Sequence, residues 1–170
     1  MRFVTETSTG YDINFEGHRQ YIDSVKERLP PGLQEFLLDS WYFEPTDHRC
    51  PHDSWLEYLT LAEPSSGLRR QIRTLALTVR LLGAYHDGYI ELSYVNLRSY
   101  TLNGSGLRTL TDAAHGDWIS DEILLLEDGS VEHEILSDSG TVWKIVSEDV
   151  VYRWLPFKVE KKESPVAKAT

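Results

Sequence analysis

Asp47-His48-Arg49-Cys50-Pro51-His52-Asp53-Ser54 gathers two His, two Asp and the chain's only Cys into eight residues. Such a set suggests a metal site, a thiol nucleophile or a Ser-His-Asp hydrolase. For metal, the candidate ligands are His48, Cys50 and His52, with Asp53 beside them. A closed zinc site takes four ligands, usually from two separated pairs. This chain has no second Cys, no Cys-x-x-Cys and no His-Glu-x-x-His. Pro51 also makes the segment irregular, so His48 and His52 need not share a helix face. A nucleophilic Cys50 would need a depressed pKa and a base held against it. In an extended His52-Asp53-Ser54, His and Ser point one way and Asp the other, the wrong order for a triad. The segment therefore reads as a polar connection, and no catalytic residue is assigned to it. The alternative is a small metal- or thiol-dependent hydrolase using His48, Cys50, His52 and Asp53.

A second group of candidates lies late in the chain. Asp121, Glu122, Glu127, Glu132 and Glu134 fall close together in an expected hairpin. Glu132 and Glu134 share one strand face, and Glu122 can lie across from it. The expectation is a solvated carboxylate face that would suit a basic partner. His133 is opposite in phase, with Val131 and Ile135, and reads as a buried, satisfied histidine. Trp118 stands where a long loop meets the closing strands, as a sheet-end plug or an interface anchor. The candidate functional surface is thus His52, Asp53, Trp118, Glu122, Glu132 and Glu134. If His52 and Asp53 belong to a site, their partners are expected in the Trp118–Glu122 region.

The elements that must position these residues follow from periodicity. Phe15, His18, Ile22, Val25 and Leu29 recur at steps of three and four, which predicts a helix over 14–29 with Asn14 as N-cap. Pro30-Pro31 stops it, and Pro31 can open a second helix over about 32–39. After Trp41-Tyr42-Phe43 strands take over. They are expected over 55–61, 71–82, 89–97 (reaching towards 102), 120–127, 131–137, 141–146 and 150–155. Asp87-Gly88, Asp128-Gly129 and Ser139-Gly140 mark tight turns and antiparallel neighbours. Between 103 and 117 the pattern breaks down, with a short helical segment through Leu107, Leu110 and Ala113. The fold class is α+β: an N-terminal helical pair packed on a mostly antiparallel, twisted sheet of about six or seven strands, curled towards a half-barrel. No β-α-β alternation supports a Rossmann-like parallel sheet.

The chain has 170 residues and a formal charge of −10. That length suits a single domain, taken here as 1–157, with a charged, disordered tail over 158–170. The tail holds four of the seventeen basic and two of the twenty-seven acidic residues, so the body carries −12. An acidic body repels phosphate backbones, so nucleic acid is not the expected partner. One Cys rules out an intrachain disulfide framework. The start, Met1-Arg2-Phe3-Val4-Thr5-Glu6, has no apolar leader core, and no run reaches the ~20 apolar residues of a membrane helix. The expected setting is cytoplasmic, without a membrane partner or cofactor; the oligomeric state stays open.

The order of features resembles a family of small bacterial proteins of unknown function. Met1-Arg2-Phe3-Val4-Thr5 is followed by a helix ending Lys26-Glu27-Arg28-Leu29-Pro30. Then come His52-Asp53-Ser54, a strand meander, Trp118-Ile119-Ser120-Asp121-Glu122-Ile123 and Val131-Glu132-His133-Glu134-Ile135. The resemblance spans roughly residues 1 to 155, on short, moderately specific motifs. The pattern is also similar to some immunity proteins that neutralise bacterial toxins. It implies no catalytic residues. The stretch around Cys50 and the basic tail depart from it. The expected function is non-enzymatic protein binding, in its sharpest form immunity-like neutralisation of a basic partner.

Overall fold

A computed structural model describes residues 1–104 and 115–158. The expected helical segment through Leu107, Leu110 and Ala113, and the tail beyond Lys158, lie outside these residues. The architecture is α+β, with antiparallel pairing throughout. The strands do not form one sheet of six or seven. They divide into two four-stranded sheets and two small hairpins.

The chain opens with a hairpin of β1 (Val4–Thr7) and β2 (Gly10–Ile13). Helix α1 (Phe15–Val25) follows, and the Asn14 side chain accepts the Gly17 amide at 2.8 Å, the expected cap. A 3-10 turn over Lys26–Arg28 extends it towards the Pro-Pro stop. Helix α2 (Pro31–Leu37) starts with proline at its first turn, and a 3-10 turn covers Ser40–Phe43. Seven residues are too few to hold a helix in water, where about 12–15 are needed. Packing holds α2 instead: Leu33, Phe36 and Leu37 are buried. Each such side chain contributes about 1.5–3 kcal/mol when removed from water.

The first sheet has the order β12-β7-β6-β3, built from β3 (Trp55–Ala62), β6 (Ala76–Leu82), β7 (Gly88–Val95) and β12 (Asp149–Pro156). A small hairpin of β4 (Ser65–Ser66) and β5 (Ile72–Arg73) extends from it. The second sheet has the order β8-β11-β10-β9, from β8 (Ser99–Leu102), β9 (Trp118–Leu125), β10 (Val131–Ser137) and β11 (Val142–Ser147). The strand expected to run on from 89 towards 102 breaks at Asn96, whose φ of +48° turns the chain out of one sheet and into the other. The chain returns between β11 and β12, where the Glu148 amide donates to the Val95 carbonyl at 2.9 Å. At the opposite edges a lone bridge joins Trp55 to Asp117.

Alternation places Leu77, Val79 and Leu81 of β6, and Ile90, Leu92 and Tyr94 of β7, in the same core as Val131, Ile135 and Ile145 of the second sheet. α1 covers the free edge of β9. His18 Nε2 accepts the Ile123 amide at 3.3 Å, and the Tyr21 hydroxyl accepts the Leu125 amide at 2.8 Å. These side chains occupy donors that would otherwise template another strand. Among the described residues, no helix is long and apolar enough to cross a membrane.

Candidate functional site

The eight-residue cluster does not close on itself. His48 turns to the β6–β7 connection, where Nδ1 lies 2.5 Å from Asp87 Oδ2 and the ring stacks on Tyr85. Cys50 points inward, and its thiol donates to the Tyr42 carbonyl at 3.6 Å. His52 points elsewhere again, with Nδ1 2.8 Å from the Ile119 carbonyl. Among the described residues, no group of three or more His, Cys, Asp or Glu could hold a metal ion. Burial pushes the Cys50 thiol up to about 11, away from the thiolate.

His52 and Asp53 instead meet the start of β9. The Asp53 amide donates to the Trp118 carbonyl, and the Trp118 amide donates to the Ser54 carbonyl, both at 2.8 Å. Asp53 takes φ +59° to make this turn, a conformation Asp tolerates better than most residues. Between this junction and α1 a cleft of about 160 Å³ opens, lined by His18, Tyr42, Phe43, Cys50, His52, Trp118 and Asp121 among others.

Asp121 stands at the back of that cleft. Its Oδ2 accepts the Tyr42 hydroxyl at 2.7 Å and His133 Nε2 at 3.0 Å. Its Oδ1 accepts the Trp118 indole N–H at 3.2 Å. His133 Nδ1 meets the Tyr94 hydroxyl at 2.9 Å, so both ring nitrogens are engaged. Burial works to raise the Asp121 carboxyl, but the His133 hydrogen bond and charge, with the Tyr42 hydroxyl, outweigh it and hold the group below its ordinary value. Tyr42 moves the other way. Burial first, then the Asp121 charge, keep its hydroxyl protonated and donating. His18 is lowered from 6.5, chiefly by burial, and its Nε2 accepts from the backbone.

The backbone of Asp121 adds to the site. Ile123 turns its amide away from β10 towards α1, so in a regular antiparallel ladder Asp121, two residues earlier, turns its amide and carbonyl to the same edge. The alternation puts both groups on the outer edge of β9, between the positions covered by His52 and His18. Asp53 is 68% exposed at its side chain, with Oδ1 3.6 Å from His52 Nε2. Asp117 precedes Trp118. Burial, and then the charges of Asp138 and Asp53, raise its carboxyl.

The carboxylate hairpin departs from expectation. Glu134 lies opposite Glu122 in the ladder, but Glu122 is only 1% exposed. The N-terminal segment covers it: the Arg2 and Phe3 amides donate to its carboxylate, and the Met1 amino group lies 2.8 Å from Glu134 Oε2. Glu132 pairs with Lys144 at 2.8 Å. An acidic face between strands attracts donors from its own chain, and here it finds them. Trp118 is also buried, at 4% exposed, and serves as the plug while its N–H holds Asp121. Nothing local in the sequence marks Tyr42, Tyr94 or the role of Asp121 as parts of a site. His18 did carry a signal, as the one polar residue on an apolar helical stripe.

No protein-family model, curated protein or solved structure matches this chain.

Proposed function

We propose that this protein is a non-enzymatic binding domain that recognises a basic protein partner, in the manner of a cytoplasmic immunity protein. The observation that supports it best is the Asp121 carboxylate, held by three donors of its own chain. Three donors hold this group as a fixed negative charge. An acid–base catalyst must change its protonation state near working pH, whereas a recognition group must keep it. Asp53 and Asp117, next in sequence to His52 and Trp118 of the lining, add negative charge at that junction. The body charge of −12 steers a basic protein in the same direction. The thiol hydrolase alternative needs a Cys50 thiolate, which burial opposes.

Affinity capture with the tagged full chain from its native cells tests the reading. The expected result is a basic protein retained by the wild type and lost when Asp53→Asn and Asp117→Asn are combined. A native capture with no basic protein, or one that both forms retain equally, would overturn it.

A further inference from the structure

The cleft has walls, a floor and an open backbone edge of distinct chemistry, and together they define the group that fits. Tyr42, Phe43 and Trp118 line it with aromatic side chains, Phe43 half-buried and the other two buried. The floor is Asp121, whose Oδ2 takes two hydrogen bonds and whose Oδ1 takes one. A carboxylate offers about four acceptor sites, so Oδ1 keeps one. The Asp121 carbonyl lies on the outer edge of β9, along which the cleft runs. His52 donates through Nδ1 to Ile119, and its Nε2 lies 3.6 Å from the Asp53 carboxylate, a further acceptor at the rim. The open polar groups are therefore mostly acceptors, spread over more than one direction.

We propose that this cleft receives a single arginine side chain of the basic partner, its guanidinium donating to Asp121 at the floor while its plane lies against the aromatic walls. The inference rests on the partner reading above and names its anchor. A guanidinium has five donors in a fixed plane, so it serves several acceptors at once where a lysine ammonium would act as a point charge. It is also more weakly hydrated and stacks on aromatic rings, which lowers the cost of entering a pocket with apolar walls. The size agrees, since a cavity of about 150 Å³ admits a six-membered ring. The molecule already uses this contact next door: the Arg19 guanidinium lies over the Phe43 ring at 4.7 Å. Phe43 lines both the cleft and the neighbouring groove that contains Arg19.

The test uses free N-acetyl-arginine methylamide as probe against the full chain, read by NMR at the Trp118 indole N–H and the Asp121 backbone amide. Both signals are expected to shift saturably in the millimolar range. The neutral citrulline analogue is expected to bind at least about tenfold more weakly, because it lacks the charge. Phe43→Leu, which keeps an apolar wall without the ring, is expected to weaken the arginine probe and leave the fold intact. No saturable shift, equal binding of the citrulline analogue, or an unchanged Phe43→Leu titration would overturn the proposal. If native capture returns a basic protein sensitive to Asp53 and Asp117 while the probe fails, the cleft assignment falls and the partner reading stands. If the probe binds but capture returns no basic protein, the partner reading falls instead.

Discussion

Asp121 shows how a buried charge is made tolerable. It sits 9% exposed at its side chain and is surrounded by donors rather than by a paired cation from a surface residue. Removing the charge leaves those donors facing an amide that can accept only on one side. Asp121→Asn is expected to destabilise the fold by about 1–3 kcal/mol, measured by urea unfolding, because at least one of Tyr42, Trp118 and His133 loses its acceptor. His18 makes a second prediction at this scale. Its folded value lies below 6.5, so the unfolded chain takes up a proton at a pH where the folded chain does not. Its contribution is complete above about 6.5 and is lost as pH falls towards the folded value. The urea midpoint is expected to drop between pH ~7.5 and ~5.5, and His18→Gln, which can still accept the Ile123 amide, is expected to flatten that drop. A wild-type midpoint that rises on acidification across this window would contradict the assignment.

Helix α2 depends on a residue far away in sequence. Asp149, at the start of β12, accepts the Gly32 and Leu33 amides at 2.9 and 3.1 Å. These are orphan donors of the first helical turn, and a carboxylate there also meets the positive end of the helix dipole. Asp149→Ala is expected to cost about 0.5–2 kcal/mol, read as a lowered urea midpoint. Gly32→Ala is expected to destabilise as well, since a Cβ there would lie 2.6 Å from the Val150 carbonyl oxygen. The sequence placed α2 and its leading proline but could not supply this cap, because the partner is 117 residues away. The same limit explains the other differences. Asn14 as N-cap, the α1 stripe and most strands of both sheets were legible because each signal is local, whereas β8 read as a run-on of β7 and β5 as the start of β6. The division into two sheets was not, because it turns on one left-handed residue, Asn96, in a run that otherwise reads as strand. The β1–β2 hairpin is only four residues per strand and mostly exposed, so the alternation of Tyr11 and Ile13 in β2 is too short to read. Glu122, Glu132 and Glu134 were placed on one face correctly, but whether that face met water depended on where residues 1–3 came to rest.

At the scale of the whole molecule, His52 and Asp53 do meet Trp118 and Ile119, as the sequence suggested they should if they belonged to a site. The two segments close the gap between the edge strands of the two sheets, and the cleft lies beside that seam. A net charge of −10 makes the encounter with a basic partner sensitive to ionic strength, so capture is expected to weaken as salt rises from ~0.05 to ~0.5 M. Capture that is unaffected over that range would argue for an apolar contact elsewhere. The central claim is narrower than any partner's identity: the Asp121 carboxylate at the back of the cleft is a fixed negative charge, as the proposed recognition requires. An NMR titration of the Asp121 side-chain carboxyl carbon tests it most directly. The account predicts an ionised carboxylate from neutral pH down through the ordinary aspartate value of 3.8, with protonation only below it. A protonation step at or above 3.8 in the folded protein would contradict the account.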